Sequence, residues 1–233
     1  MMPPNDTAVD NAPLDGPDWG EDLFDNSAEF ADNPEPRCPC VLLLDTSQSM
    51  AGEPIAALLR GLHVFREELM AVPLARKRVE VAVIAFGTEV RVVQEFVTVD
   101  RFQPPVLQAE GETPLCTAIV RALDLVEQRK ERYRVNGMSY SRPWLFLITD
   151  GMPQGDSLET TRQAVQRLRA AEAARKAAFF AVGVAGANMN LLTRISVRPP
   201  LKLEGLRFSE LFAWLSASTA HAAVAGGMMN EEG

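Results

Sequence analysis

The stretch Val41-Leu42-Leu43-Leu44-Asp45-Thr46-Ser47-Gln48-Ser49-Met50 joins an unbroken apolar run to a run of side chains that carry oxygen. An apolar run of this length is typical of a strand buried on both faces of a parallel sheet. Residues 144–151 repeat the arrangement, since their apolar run ends at Thr149-Asp150-Gly151. Parallel strands end at one edge of a sheet, and open α/β sheets bind ligands beyond that edge. Both stretches therefore predict a functional site at the carboxyl ends of two buried strands.

Strand and helix patterns alternate through the rest of the chain. Apolar residues at helical spacing follow the first strand from Ile55 onward, and residues 79–86 and 90–99 have the composition of strands. The short link between those two strands predicts an antiparallel hairpin. Further strand and helix patterns continue to Ser218. This order predicts an α/β fold, namely a Rossmann-like, open, mostly parallel sheet with one antiparallel edge strand and helices on both faces.

Acidic residues are concentrated at the start of the chain. Of the 233 residues, 47% are hydrophobic and 23% are charged, which suits one globular domain with a tail. Residues 1–36 hold ten of the 31 acidic residues, six of the 16 prolines and no Lys or Arg. We therefore predict an acidic, proline-rich disordered arm over residues 1–36, one domain over residues 37–222 and a frayed tail over residues 223–233.

One part of this arm is not purely polar. The sequence DWGEDLFDNSAEF sets Trp19, Leu23, Phe24 and Phe30 among acids, a pattern that can fold as a short helix on a partner. Because the arm is rich in carboxylates, two hypotheses remain open once a cation site is considered. The arm supplies a carboxylate to the site of its own or a neighbouring chain, or it docks elsewhere.

Composition also disfavours several classes of protein. Outside the arm the chain carries 23 basic and 21 acidic side chains, and this near-neutral body disfavours an autonomous nucleic-acid binder. No apolar run reaches about 18 residues, so we expect no membrane span. No secretory signal pattern opens the chain, and Cys38, Cys40 and Cys116 cannot form a disulfide framework. These features predict a cytoplasmic protein with reduced thiols.

The predicted site draws on three separate loops. Asp45, Ser47 and Ser49 alternate after the first strand, Thr113 precedes a helix, and Asp150 ends the second apolar strand. Each loop alone is equally consistent with a helix cap or a turn. Together they offer two carboxylates and three hydroxyls, which are hard oxygen donors suited to Mg²⁺ or Mn²⁺ rather than Zn²⁺.

This set resembles the metal-ion-dependent adhesion site of von Willebrand factor A domains. The family pattern is Asp-x-Ser-x-Ser, then a separate Thr and a separate Asp, and all five positions are filled here, by Asp45, Ser47, Ser49, Thr113 and Asp150. The resemblance covers about residues 38–222. Within the family the chain looks most like bacterial TerY-type proteins of tellurite-resistance and stress gene clusters, on the stretches LLLDTSQSMAGEPI, GETPLCTAI, PWLFLITDGMP and FSELFAWLSAS.

The resemblance implies a mode of action. The three hydroxyls contact the ion directly, the two acids act mainly through water or hydrogen bonds, and one coordination position is left for a partner's carboxylate. It implies a non-catalytic protein-binding module in a bacterial stress or defence assembly, beside kinase-like or PP2C-like phosphatase partners. One alternative is a scaffold whose ion is only structural and which binds through its tail and final helix.

Catalytic interpretations fit the residues less well. Phosphatases of the haloacid dehalogenase type need a second Asp two residues after the nucleophile, where this chain has Ser47, so a metal-dependent phosphatase is the weakest alternative. A dinucleotide-binding site needs a glycine-rich turn after the first strand, and the turn here contains no glycine. The two histidines, His63 and His221, are interpreted as structural or solvated.

The basic stretch over residues 129–134 is interpreted as a solvated helix end, because cations suit the carboxyl terminus of a helix. The loop that follows, over residues 135–143, enters a strand at its amino end. We therefore expect this region at the end of the sheet opposite Asp45, where it can form a second protein-binding surface.

Overall fold

A computed structural model describes residues 30–151, 153–184, 186–204 and 207–225. Six strands form one sheet in the order β3-β2-β1-β4-β5-β6. All neighbouring pairs are parallel except β2 and β3, which are antiparallel. The strands are β1 (Cys38–Asp45), β2 (Val79–Phe86), β3 (Val90–Thr98), β4 (Trp144–Thr149), β5 (Ala178–Gly183) and β6 (Leu201–Lys202).

Helices cover both faces of the sheet. They are α1 (Glu53–Ala71), α2 (Pro73–Arg78), α3 (Leu115–Val135), α4 (Leu158–Ala173), α5 (Met189–Ile195) and α6 (Phe208–Ala225), with a 3-10 turn at Gln48–Met50. This architecture confirms the predicted mostly parallel α/β sheet with one antiparallel edge strand. The short helix α2 was not predicted, because it occupies the six residues between two stronger patterns.

The buried residues of β1 explain why its sequence is an unbroken apolar run. All eight of its residues are buried. Leu42 and Leu44 belong to the core between the sheet and helices α1 and α6, whereas Val41 and Leu43 belong to the core beneath α3 and α4. A central strand in such a sheet has no solvent-facing side, so alternation with polar residues is absent.

The hairpin of β2 and β3 forms the edge of the sheet next to β1. Phe86 pairs with Val90 across the turn, and Glu80 pairs with Thr98 at the far end. The register shifts twice along this pair, between Val81 and Val83 and between Val83 and Ile84. The predicted antiparallel hairpin is therefore confirmed, with an irregular edge strand.

Residues 30–36, which we assigned to the arm, lie against the domain. Phe30 is buried with its ring 5.9 Å from that of Tyr133, and Arg78 forms a salt bridge of 2.7 Å with Glu35. Disorder over residues 1–29 stays a prediction, because those residues lie outside the described part of the chain. At the other end, α6 extends to Ala225, and residues 226–233 of the predicted frayed tail also lie outside it.

A buried charge cluster lies at the amino end of the sheet. Glu80 in β2 pairs with Arg37 at 2.9 Å and with Arg129 at 2.8 Å, and it accepts a hydrogen bond of 2.5 Å from the Tyr133 hydroxyl. These four residues, named here the Glu80 cluster, are at most 3% exposed. The interpretation of residues 129–134 as a solvated helix end is therefore wrong for Arg129, Lys130 and Tyr133, which are all buried. Arg129 and Tyr133 are buried because both bind the Glu80 carboxylate.

Among the helices that the structure describes, none is long and apolar enough to cross a membrane. The three cysteines are buried and form no disulfide.

Candidate metal centre

Asp45 is the last residue of β1 and is fully buried. Its Oδ1 accepts a hydrogen bond of 2.8 Å from the backbone N–H of Ser47, and its Oδ2 accepts one of 2.5 Å from the Thr149 hydroxyl. Leu44 pairs with Ile148 in the sheet, so the next residues, Asp45 and Thr149, lie side by side. Both carboxylate oxygens are thus held by local donors, which fixes the side chain at the end of the strand.

The two serines connect this buried carboxylate to the surface. Ser47 is 2% exposed and its hydroxyl lies 3.1 Å from that of Ser49, which is exposed. The Ser49 hydroxyl in turn donates a hydrogen bond of 2.8 Å to Oδ1 of Asp150, which follows β4. The structure therefore brings together four of the five residues, from two loops that are about a hundred positions apart.

Thr113 reaches the same place from the loop before α3. It is 4% exposed, and a Cβ added to Gly151 would lie 3.0 Å from the Thr113 hydroxyl oxygen and 3.5 Å from Oδ2 of Asp45. The Thr113 and Asp45 oxygens therefore border one space, which the absent side chain of Gly151 leaves open. All five predicted residues converge at the carboxyl end of the sheet.

Backbone contacts hold the three loops together. The N–H of Glu110 donates to the Thr46 carbonyl at 2.8 Å, and the N–H of Gln48 donates to the Gly111 carbonyl at 3.0 Å. Gly87 permits this approach, because a Cβ there would lie 2.5 Å from the Glu110 carbonyl and 2.7 Å from that of Thr46. The position of Thr113 relative to Asp45 thus depends on a glycine in the β2–β3 turn.

Two residues of the site were not predicted as part of it. Thr149 orients Asp45, and a signal for it was present, since it is the hydroxyl residue that ends β4 beside the end of β1. Asp156 caps α3 by accepting from the N–H groups of Cys116 and Thr117 at 2.7 and 3.0 Å. No local pattern marks Asp156, because it lies about 40 positions from the helix that it caps.

The two carboxylates of the site, Asp45 and Asp150, have raised pKa values and no described basic partner. Burial raises the pKa of Asp45, and the charge of Asp150 adds to this effect against hydrogen bonds from Ser47 and Thr149. Burial also raises the pKa of Asp150, although the Ser49 hydroxyl opposes it. Among the salt bridges between described residues, none involves either carboxylate. A cation from solution would supply the missing positive charge.

The donor set fits a hard divalent cation. Three hydroxyls and two carboxylates provide only oxygen, the element that Mg²⁺ and Mn²⁺ prefer. Within the described part of the chain, no group of three or more His, Cys, Asp or Glu is arranged to hold a metal. His63 and His221 are exposed on α1 and α6 and do not belong to the five residues. The site thus suits an ion that keeps several waters and binds few protein carboxylates.

Comparisons with known structures agree with the fold. The domain of the type V pili tip protein Mfa5 from Porphyromonas gingivalis aligns at a TM-score of 0.56 and 10% identity, over 85% of this chain and 98% of that chain. The pilus adhesin SpaC from Lactobacillus rhamnosus GG aligns at a TM-score of 0.62 and 12% identity, over 81% of this chain and 31% of that one. The manganese-loaded TRAP protein of Plasmodium vivax aligns at a TM-score of 0.50 and 19% identity, over 76% and 73%.

No curated protein matches the sequence significantly. The family model that describes the von Willebrand factor type A domain, in contrast, matches residues 40–209. This match spans most of the chain and includes the five converging residues of the site. The chain therefore belongs to the von Willebrand factor type A domain family.

Proposed function

We propose that the protein is a non-catalytic binding module that grips a carboxylate of another protein through Mg²⁺ or Mn²⁺. The residues that would hold the ion are Asp45, Ser47, Ser49, Thr113 and Asp150. The observation that carries this proposal is a pair of carboxylates, with raised pKa values, that no described Lys or Arg neutralises and that stand beside three hydroxyls. Burial of acids without a basic partner costs stability, and a bound cation offsets that cost.

The chemistry of the donors explains why a partner's carboxylate would bind. If neutral hydroxyls and waters form most of the inner shell, they leave much of the ion's charge unquenched. Both oxygens of Asp45 already accept hydrogen bonds from the protein, so this carboxylate is occupied in holding the loop. An Asp or Glu from outside then makes the strongest contact available to the ion, and Mg²⁺ favours few protein carboxylates.

Membership of the family and the manganese-loaded state of the TRAP protein support a divalent ion in this chain. The resemblance of four sequence stretches to TerY-type proteins supports a finer proposal. The module would act in a cytoplasmic stress, tellurite-resistance or defence assembly, with kinase-like or PP2C-like partners. The exposure of Ser49 supports a site that a partner would reach from solvent.

A titration of the metal tests the site directly. We expect the full chain to bind Mn²⁺ and Mg²⁺ in isothermal titration calorimetry, and Thr113→Ala to weaken binding at least about tenfold because one hydroxyl donor is lost. Thr193→Ala is the matched control, because Thr193 is an exposed threonine of α5 outside the site. Equal metal affinity for the two variants would contradict the proposal.

Capture of partners from a native lysate, with and without EDTA, tests whether the metal mediates the contact with a partner protein. Loss of the captured protein in EDTA and in the Thr113→Ala variant supports a metal-mediated contact. Capture that persists in both favours the alternative of a scaffold with a structural ion, which binds through its tail and final helix. Phosphate release that depends on Asp45 would favour the phosphatase instead.

A further inference from the structure

A groove of about 300 Å³ lies between the edge strand β3 and helix α3. Its walls are residues 95–97 of β3, residues of α3 between Leu125 and Arg132, and Arg101, and we name it the β3–α3 groove. Phe96 and Leu125 are buried and apolar, whereas Arg101 is exposed and Arg132 is half-buried. The groove therefore combines an apolar floor with a cationic margin.

The positive charge of this margin is only partly balanced. Arg101 and Arg132 form no salt bridge with any residue in the described part of the chain. Among the described residues that line the groove, Glu95 is the one acid. Cations at the end of α3 are expected from the helix dipole, but Arg101 lies after β3 and is not on a helix. An acidic occupant would complement this margin.

Phe30, the first residue that the structure describes, lies at one end of this groove. The Arg129 guanidinium lies 5.1 Å from the ring centre of Phe30 and 5.7 Å from that of Phe96. Arg129 and Phe96 both line the groove, so the segment before Phe30 starts at its edge. A segment tethered this closely has a high effective concentration at the groove, which a separate partner lacks.

The composition of the preceding segment matches the groove. Residues 1–29 contain eight acidic residues and no basic one. Phe30 and Ala31 have helical backbone, and helical spacing would put Trp19 and Leu23 on the same face as Phe30. Two large apolar side chains would thus meet the apolar floor while the acids between them meet the arginines.

We propose that the acidic segment over residues 19–29 docks as an amphipathic helix in the β3–α3 groove of its own chain. Trp19 and Leu23 occupy the apolar floor, and the intervening carboxylates face Arg101 and Arg132. The contact is local to one chain, and it does not depend on the proposed ion site.

The position of the groove separates this contact from the ion site. The carboxyl half of β3 pairs with the start of β2, where Glu80 lies opposite Thr98. The ion site lies at the other end of the sheet, where Asp45 pairs with Phe86 at the end of β2. Of the two hypotheses for the arm, docking elsewhere is therefore the one that the groove supports.

Hydrogen exchange of the full chain tests the contact. An isolated helix of eleven residues is marginal in water, so exchange at least about tenfold slower than the random-coil rate in residues 19–29 requires docking. We expect such protection in the unmodified protein. We expect its loss in the double variant Arg101→Glu, Arg132→Glu and in Leu23→Asp, while exchange in β1 stays unchanged and reports an intact domain.

A double variant with the same change in charge is the control. Arg162→Glu with Lys202→Glu reverses two exposed cations on α4 and β6 and should leave the protection unchanged. Random-coil exchange of residues 19–29 in the unmodified protein would overturn the proposal. Protection that survives charge reversal at the groove, or that rises with protein concentration, would overturn it as well, because the segment would then dock elsewhere or on a second copy.

Discussion

The two ends of the sheet bury carboxylates in opposite ways. At the amino end, Glu80 is neutralised by Arg37 and Arg129 and bonded by Tyr133. At the carboxyl end, the described residues that donate hydrogen bonds to Asp45 are neutral, and burial raises its pKa. The charge of Glu80 is balanced by arginines, so this acid stabilises the fold without a ligand. The charge of Asp45 is not balanced by a described basic residue, so a cation from solution would stabilise it.

Removal of the charge of Glu80 should have the largest effect on stability. Glu80→Gln leaves Arg37 and Arg129 buried beside a neutral amide, and loss of one partner of a buried ion pair costs about 3–5 kcal/mol. Urea unfolding followed by circular dichroism measures this loss. Glu95→Gln, an exposed acid of β3, is the control and should change stability little. A loss below about 1 kcal/mol for Glu80→Gln would show that the cluster is not a structural ion pair.

A change at Gly87 should act at the other end of the sheet and affect both stability and metal binding. Gly87→Ala places a Cβ against the Glu110 and Thr46 carbonyls, and such overpacking costs about 1–3 kcal/mol. The loop that carries Thr113 must shift, so we expect weaker Mn²⁺ binding by calorimetry. Gly137→Ala lies at the open end of α3 and should alter stability without altering the metal affinity.

Replacement of Asp45 should separate stability from metal binding. Because burial raises the pKa of Asp45, its ionisation costs more free energy in the folded than in the unfolded protein, and the stability of the metal-free protein falls as pH rises through the range where Asp45 ionises. Asp45→Asn removes that cost and keeps an acceptor for Ser47. In EDTA at pH 7 we expect a higher Tm than for the unmodified protein. In excess Mg²⁺ the order should reverse, and a lower Tm in both conditions would contradict this account.

The reactivity of the cysteine thiols should show the smallest difference between the two ends of the sheet. It tests whether burial or the charge of a nearby acid controls how fast a thiol reacts. Cys38 lies at the amino end near Glu80, and Cys116 lies at the start of α3 near Asp156, yet burial is the main cause that raises the pKa of each to about 11. Neither thiol should react quickly with a disulfide reagent at pH 8 in the folded protein. All three cysteines should react on unfolding, and a fast reaction of one of them in the native state would contradict burial as the cause.

Local patterns were sufficient to predict that the five candidate residues converge at one edge of the sheet. The loop after β1 carries three oxygens within five residues, and the edge at which parallel strands end is fixed by topology rather than by detail. The alternation of strands and helices was then sufficient to predict that Thr113 and Asp150 lie at the same edge as this loop. The contribution of Thr149 requires the register between β1 and β4, which the apolar runs do not specify.

The Glu80 cluster was missed because its members are far apart in sequence. Arg129 follows Glu80 by 49 positions, and the basic residues around it have the composition of an exposed helix end. Phe30 was assigned to the acidic arm for the same reason, and Arg37 gave no sign of a buried acidic partner. Glu80 meets these residues only in the folded sheet. A buried ion pair formed by three separate segments therefore produces no pattern within any one stretch of sequence.

The irregular pairing along the β2–β3 hairpin has a consequence for self-association. Edge strands expose unpaired backbone groups that another chain can extend into a longer sheet. The two register shifts along β2–β3 disturb the even ladder that such an extension needs. In the part of the chain that the structure describes, the strand at the opposite edge, β6, has two residues, Leu201 and Lys202. Both borders of the described sheet are therefore poor templates for extension by a strand of another chain.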